Sequence, residues 1–323
     1  MKKIAGLILC LVLFMGAGTA AVLLFLSNNG SNIKEYEKDS YTGSIYQGQM
    51  FAQDLCVASG DVQLSGFEDD TTLHGAALFD LENESVVYGY NLYDRLYPAS
   101  TTKVLTAYVA LKYGNLEDQV TVSANATDFN WDESICGLQT GDTLSMYDLL
   151  CGLMLVSGND AAAAIAEHIS GSTEEFAELM NREAAALGAT GTHFVNPHGL
   201  PDDNHYTTVY DLYLFFNACM KDERFVDIIS MDSYTVELKG ADGTVRTDEW
   251  EPTHFYASGE ATAPEGIHIV GGKTGTTLKA GNCVILYEEA SDGSPYISVI
   301  MGAETKPLLY EEMNRLLSAG IQK

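Results

Sequence analysis

Tyr97-Pro98-Ala99-Ser100-Thr101-Thr102-Lys103-Val104-Leu105-Thr106-Ala107 is the stretch on which the reading of this chain turns. A loop ends at Pro98 and becomes a helix that runs through Tyr108, Val109, Ala110 and Leu111 and stops near Gly114. Ser100 falls at or just inside the helix start. Lys103 lies three residues on, so both side chains share one helical face, one turn apart. A serine hydroxyl beside a lysine amine is a candidate nucleophile and base. An N-cap serine followed by a surface lysine looks the same in isolation, so the rest of the chain decides between the two.

Two further short motifs follow in order. Ser157-Gly158-Asn159 lies in a break between two apolar helices, and Lys273-Thr274-Gly275-Thr276 follows the strand Ile267-His268-Ile269-Val270. Each is weak alone. The ordered set S-x-x-K, S-x-N, K-T-G, each in its local context, resembles the signature of the penicillin-binding proteins and serine β-lactamases. The resemblance covers the chain from about residue 72 to its end. Asn196-Pro197-His198-Gly199-Leu200 and Ser157-Gly158-Asn159-Asp160-Ala161-Ala162 look most like the low-molecular-mass D-alanyl-D-alanine carboxypeptidases.

Residue chemistry gives each position a role. Ser100 must lose its proton before attacking a carbonyl, and Lys103 can take it only when neutral. Burial and a second cation both disfavour the charged lysine, and Lys273 is the candidate second cation. Ser157 offers a hydroxyl to relay a proton to a leaving amine, and Asn159 a donor and acceptor pair for a substrate amide. Lys273, Thr274 and Thr276 suit a peptide carboxylate, and Gly275 leaves the strand edge open to substrate. The resemblance adds that the backbone N–H groups of Ser100 and Thr276 form an oxyanion hole. It also implies an acyl-enzyme, formed with loss of a terminal D-alanine and then hydrolysed. It implies a peptidoglycan stem peptide as substrate and β-lactam antibiotics as covalent inhibitors. No cofactor or metal is expected. His198 is read as packing or hydrogen-bonding in its loop rather than acting in catalysis.

Around these motifs the periodicity implies an α+β body. Gly75 to Asp80 and Ser85 to Tyr90 flank Glu82-Asn83-Glu84 as a β-hairpin. Residues 115–145 read as mixed loops. Helices are expected at Met146 to Val156, Ala161 to Ile169, Glu174 to Leu187, Val209 to Met220 and Glu311 to Leu317. Strands are expected at Tyr234 to Leu238, Ile267 to Val270, Cys283 to Glu288 and Tyr296 to Met301, with Asp292-Gly293 as the last hairpin turn. The early hairpin and the late strands would form one antiparallel sheet around a helical insertion. The resemblance puts the same arrangement in the serine β-lactamase/DD-peptidase-like class: an antiparallel sheet with flanking helices and an all-helical subdomain.

The chain has 323 residues and a net charge of −28, from 17 Lys+Arg against 45 Asp+Glu. An acidic chain does not suit nucleic acid, whose phosphates need a basic surface, so none is expected as a partner. Lys2 and Lys3 precede Ile4 to Leu26, 23 residues without a charge and long enough to span a bilayer. Residues 1–26 are therefore read as a single-pass membrane anchor, with Gly16-Ala17-Gly18-Thr19-Ala20-Ala21 as the site of cleavage if the segment is a signal peptide instead. The two lysines place the N-terminus inside and the catalytic body outside the cell. Residues 27–68, polar and rich in Ser, Asn, Gly and Asp, read as a flexible tether, and 69–323 as the catalytic domain. Carboxypeptidases of this kind often carry a second β-rich domain and a C-terminal amphipathic anchor. Only about 20 residues follow Gly302, so neither is expected and the N-terminal helix would take over anchoring. Of the six cysteines, Cys10 lies in the apolar segment, while Cys151, Cys219 and Cys283 read as buried thiols. Cys136 could pair with Cys56 or Cys151.

Related chemistries on the same scaffold differ in deacylation. Class A β-lactamases place a Glu on a loop after S-x-N, whereas Thr192-His193-Phe194-Val195-Asn196-Pro197-His198 holds none, so fast β-lactam hydrolysis is not expected. Endopeptidase action on cross-links, or a non-catalytic penicillin-binding sensor, would use the same three motifs.

Overall fold

Gly75–Asp80 (β1) is apolar at nearly every position, GAALFD, and all six residues are buried. Such a strand must have cover on both faces. It pairs antiparallel with Ser85–Tyr90 (β2) on one side and with Pro295–Ala303 (β9) on the other, Ala77 facing Gly89 and Val299. Alternate side chains serve two cores. Ala77 and Phe79 enter a large helical core, while Ala76 and Leu78 enter a smaller one. The structure, a computed structural model, describes residues 54–130 and 133–321. The expected anchor at 1–26, Cys10 and the tether up to residue 53 lie outside the described residues. Among the described residues no helix is long and apolar enough to cross a membrane.

The elements follow in chain order. After β1 and β2 comes Lys103–Tyr113 (α1), preceded by a 3-10 turn at Ala99–Thr102. Gln119–Thr121 (β3) and Thr143–Ser145 (β4) lead to Met146–Met154 (α2), Asn159–Ser170 (α3), Thr173–Ala186 (α4), Val209–Cys219 (α5) and Glu223–Ile229 (α6). Tyr234–Lys239 (β5), Val245–Trp250 (β6) and the short Phe255–Ser258 (α7) precede Ile267–Thr277 (β7), Gly281–Ala290 (β8), β9 and Lys306–Gly320 (α8). The main sheet has the order β2-β1-β9-β8-β7, which leaves β7 at an edge. Helix α8 covers one face through Leu309, Tyr310, Met313, Leu316 and Leu317, an i, i+3/i+4 stripe. Helices α1 to α5 contribute the core on the other face.

The α+β reading with an antiparallel sheet, flanking helices and a helical middle stands, with four local corrections. First, there are two sheets. Tyr234–Lys239 leaves the main sheet and joins a second one of order β3-β4-β5-β6. Its partner, Val-Arg-Thr-Asp-Glu-Trp at β6, is an edge strand with most side chains in solvent, so it carries no apolar alternation. Second, the span 115–145 contains β3 and β4, three residues each, too short to show a period. Third, β7 runs on to Thr277, so Lys273-Thr274-Gly275-Thr276 lies within the strand and does not follow it. Glycine and threonine there hide a strand that cross-strand pairing makes plain: Lys273 faces Ile285 and Gly275 faces Cys283. Fourth, residues 54–68, expected as part of the tether, are laid against the body. Cys56 is buried with its N–H donated to Tyr213 Oη at 2.8 Å, Val62 bridges Gly89, and Phe67 packs edge-on to Tyr88. All five described cysteines are buried free thiols. Cys56 Sγ donates to Asp80 O at 3.2 Å. Cys136 Sγ fills the space above Gly152 and Gly158, where a Cβ would come within 2.5 and 2.2 Å of it.

Candidate active site

Three segments distant in sequence converge where β7 meets the 3-10 turn before α1. Strand β7 presses on the turn so closely that a Cβ at Gly275 would lie 2.7 Å from Ser100 N and 3.0 Å from Thr101 N. Any side chain there would have to displace the Ser100 turn, because the obstacle is backbone. The turn itself is strained. Ala99 has φ +49, a left-handed conformation that a residue with a Cβ adopts at a cost of roughly 1 kcal/mol or more. This strain delays the start of α1: the expected helix from Ser100 is a 3-10 turn first, and regular helix begins at Lys103.

Lys103 is fully buried, and its Nζ has three oxygen neighbours: Ser100 Oγ at 3.0 Å, Asn159 Oδ1 at 2.8 Å and the carbonyl of His198 at 2.7 Å. Two of these are carbonyl oxygens, which can only accept. A neutral amine has two N–H bonds and one lone pair. With both N–H bonds spent on Asn159 and His198, the lone pair points at the Ser100 hydroxyl. Burial holds the Lys103 pKa well below its ordinary 10.5, and the nearby Lys273 ammonium adds to this. The result is a base aimed at a nucleophile. The carbonyl of His198 comes from the 196–200 turn, which Thr106 anchors to α1 by donating to Pro197 O at 2.6 Å. Asn196 Oδ1 accepts from Gly199 N at 2.7 Å and closes that turn. The His198 ring sits edge-on to Phe129, and enclosure beside Lys103 brings its pKa to about 3, so the ring is neutral.

The second motif follows the same logic. Ser157 has φ +66, and Lys273 Nζ donates to its Oγ at 2.8 Å and to Thr274 O at 2.9 Å. Lys273 is 1% exposed, and burial lowers its pKa to about 7. Burial lowers both amines, and only Lys103 also has a neighbouring ammonium pushing its proton off, so Lys103 suits the neutral base while Lys273 carries charge up to about neutrality. Asn159 spends its carbonyl oxygen on Lys103, which leaves its NH₂ as the end that can meet a substrate. Thr274 Oγ1 lies 2.6 Å from Thr253 Oγ1, and Thr276 Oγ1 donates to Asn282 Oδ1 at 3.1 Å. Ser100, Lys103, Ser157, Asn159, Lys273, Thr274, Gly275 and Thr276 thus line one place.

Sequence reasoning missed the parts that hold this place together. Asp160, 2% exposed, accepts from the N–H groups of Cys136 at 2.8 Å, Leu138 at 3.0 Å and Ala161 at 2.9 Å. With the Asn159 N–H donated to Ser134 O at 2.8 Å, it pins the 134–138 loop onto the start of α3. The signal for Asp160 was an acid in a helix's first turn, which reads as a dipole partner. The His198 contribution is a main-chain carbonyl, and no side-chain pattern reveals it. Among the described residues no group of three His, Cys, Asp or Glu could hold a metal ion.

Comparison with known proteins agrees with the geometry. A model of the D-alanyl-D-alanine carboxypeptidase family matches residues 66–305. The D-alanyl-D-alanine carboxypeptidase DacA of Haemophilus influenzae is 32% identical over 275 residues, which are 82% of this chain and 65% of that protein. DacC of Escherichia coli is 31% identical over 258 residues, 76% of this chain and 60% of that protein. The chain therefore matches slightly less than two thirds of these relatives' length. Among solved structures, the Streptomyces K15 DD-transpeptidase superposes with a TM-score of 0.72 at 28% identity, covering 79% of this chain and 98% of that one.

Proposed function

The chain belongs to the D-alanyl-D-alanine carboxypeptidase family, and on that premise we propose that it removes the terminal D-alanine from peptidoglycan stem peptides through an acyl-enzyme on Ser100. One observation carries the reading: the Lys103 amine, 3.0 Å from Ser100 Oγ, has both other directions taken by carbonyl oxygens at 2.8 and 2.7 Å.

The steps follow from that geometry. The substrate enters extended along the free edge of β7, its terminal carboxylate at Lys273 and Thr274. The Ser100 and Thr276 N–H groups receive the scissile carbonyl oxygen. Lys103 takes the Ser100 proton as Oγ attacks, and the N–H groups stabilise the oxyanion. The C–N bond to the terminal D-alanine breaks as its nitrogen takes a proton from the Ser157 hydroxyl, whose oxygen Lys273 holds; the proton that Lys103 took from Ser100 passes on to Ser157, so the hydroxyl is restored and Lys103 is neutral again. Water then hydrolyses the Ser100 ester and releases the shortened peptide. A β-lactam would acylate Ser100 by the same first step and act as a covalent inhibitor.

The chain is further proposed to sit in the cell membrane through Ile4–Leu26, with its catalytic body outside. The 23 uncharged residues behind Lys2 and Lys3 support that placement. Recovery of a soluble protein with an N-terminus near residue 20 would show a cleaved signal peptide instead.

The test incubates the purified protein with a pentapeptide ending in D-Ala-D-Ala, a cross-linked peptide dimer and a chromogenic cephalosporin. Free D-alanine from the pentapeptide is expected, with slow or no turnover of the other two. Mass spectrometry after penicillin treatment should find one adduct, on the Ser100 peptide, that is absent in Ser100→Ala. Dimer cleavage as the dominant activity would move the assignment to endopeptidase, and rapid cephalosporin turnover to β-lactamase. An adduct without any turnover would indicate a sensor.

A further inference from the structure

We infer that His205 and Thr102 are positioning residues that aim the Ser100 N–H, one of the two oxyanion donors. The inference rests on the functional reading above and adds a part to it. His205 is 1% exposed and lies far in sequence from the three motifs. Its Nδ1 accepts the Val195 N–H at 3.1 Å, and its ring stacks on Phe194 at 4.8 Å between centroids. An Nδ1 that accepts leaves the proton of the neutral ring on Nε2. That Nε2 lies 2.8 Å from Thr102 Oγ1 and donates to it. The Thr102 hydroxyl, fully buried, then has its own proton free for one acceptor, and it donates to Ala99 O at 2.8 Å. The chain runs in a single direction: Val195 N–H to His205, His205 to Thr102, Thr102 to Ala99.

What the last link holds is the peptide group between Ala99 and Ser100. That group is a rigid plane, with the Ala99 carbonyl on one side and the Ser100 N–H on the other. Fixing the oxygen fixes the N–H. The plane needs fixing, since Ala99 is in the left-handed region at φ +49 and would relax if released. The carbonyl is also confined by Gly199, where a Cβ would stand 1.9 Å from Ala99 O and 2.9 Å from Thr102 Oγ1. On the far side, Gly275 confines the N–H itself, with a Cβ position 2.7 Å from Ser100 N. The glycines confine the peptide only by contact, and the Thr102 hydroxyl adds a side-chain hydrogen bond to the main-chain bonding of the 3-10 turn. Neither His205 nor Thr102 touches the reacting atoms. Both act through the donor they orient.

An oxyanion donor acts in the transition state, so its misalignment lowers the rate at saturation and leaves ground-state binding alone. Thr102→Val keeps the shape and removes the hydroxyl. The acylation rate at saturating penicillin should fall about 10- to 100-fold, short of the loss of a whole donor. The half-saturating concentration should stay within about twofold. Thr102→Ser should restore most of the rate. Nitrogen-15 NMR of the wild-type protein should show His205 as the neutral Nε2–H tautomer from pH 5 to 8. Wild-type acylation by Thr102→Val, or a rate loss that Thr102→Ser does not recover, would overturn the inference. So would an Nδ1–H tautomer at His205, which reverses the chain. If wild-type protein forms no adduct, the functional reading fails, while the tautomer still decides whether this hydrogen-bond chain exists.

Discussion

Replacing Lys273 by arginine separates charge from titration in the cleft. In the wild type, burial takes the Lys273 pKa from 10.5 to about 7, a fall worth roughly 5 kcal/mol against the charged form. The ammonium is therefore present below about pH 7 and lost above it. A hydrogen bond from a charged donor to a carboxylate contributes roughly 1.5–3 kcal/mol, or about tenfold to 150-fold in affinity. Each pH unit above the pKa can remove at most about tenfold of this, so about two units are needed to see most of it. The assay is kcat/KM for D-alanine release between pH 5.5 and 9, which reports the free enzyme's ionisations. The wild type should decline above about pH 7, by up to about 100-fold at pH 9, for a peptide with a free carboxylate. A C-terminal amide of that peptide should react poorly throughout and show no such decline. Arginine stays charged over the whole range, so Lys273→Arg should lower kcat/KM at pH 7 through its altered shape yet abolish the alkaline decline. A wild-type profile flat from pH 6 to 9, or an alkaline decline that survives in Lys273→Arg, would refute the assignment of this lysine to the carboxylate.

Lys103→Arg cannot deprotonate, so acylation by both peptide and penicillin should drop about 10²- to 10⁴-fold; stopped-flow measurement showing near wild-type acylation would remove Lys103 as the base. Gly275→Ala should cost most of the acylation rate while the protein still folds, because the new methyl meets Ser100 N at 2.7 Å; circular dichroism and penicillin labelling on one sample separate the two effects. Glu288 is fully buried, with Ser298 donating to Oε2 at 3.1 Å and Oε1 lacking a partner among the described residues, and burial pushes its pKa well above 4.5. The stability that its neutral form allows is complete below about pH 4.5 and is lost as pH rises toward the folded pKa, by up to about 1.4 kcal/mol per unit. Glu288→Gln should therefore unfold at higher denaturant than wild type at pH 7 and match it at pH 4; equal midpoints at both pH values would show that the carboxyl is not titrating between them.

The legible parts of the fold are those with a local period. The strands at 75–80, 85–90, 283–288 and 296–301 and the helices at 146–154, 159–170, 173–186 and 209–219 carry their own apolar alternation or stripe, and their boundaries moved by only a few residues; the short helices Glu223–Ile229 and Phe255–Ser258 were not read, and the last helix begins at Lys306, five residues before the expected start. Val245–Trp250 carries no such pattern, since it is an edge strand whose side chains mostly face water. The Thr and Gly of β7 beyond Val270 were silent for another reason. Their strand identity comes from β8 across the ladder, and their small side chains leave room for the Ser100 turn.

By itself the sequence picked out the side chains to which the chemistry is assigned under the proposed function. Serine, lysine, asparagine and threonine at S-x-x-K, S-x-N and K-T-G have few other uses in that order and context, and side-chain type survives any uncertainty about where the backbone runs. Only the tertiary structure decided the proton on Lys103, because that depends on complete burial and on two carbonyl oxygens, one of them the main chain of His198, 95 residues away. It also decided that Asp160 clamps a loop and that His205 reaches Thr102 across 103 residues. These contacts join backbone atoms or residues remote in the chain. Chain spacing carries no trace of them, and only packing brings them within hydrogen-bond reach.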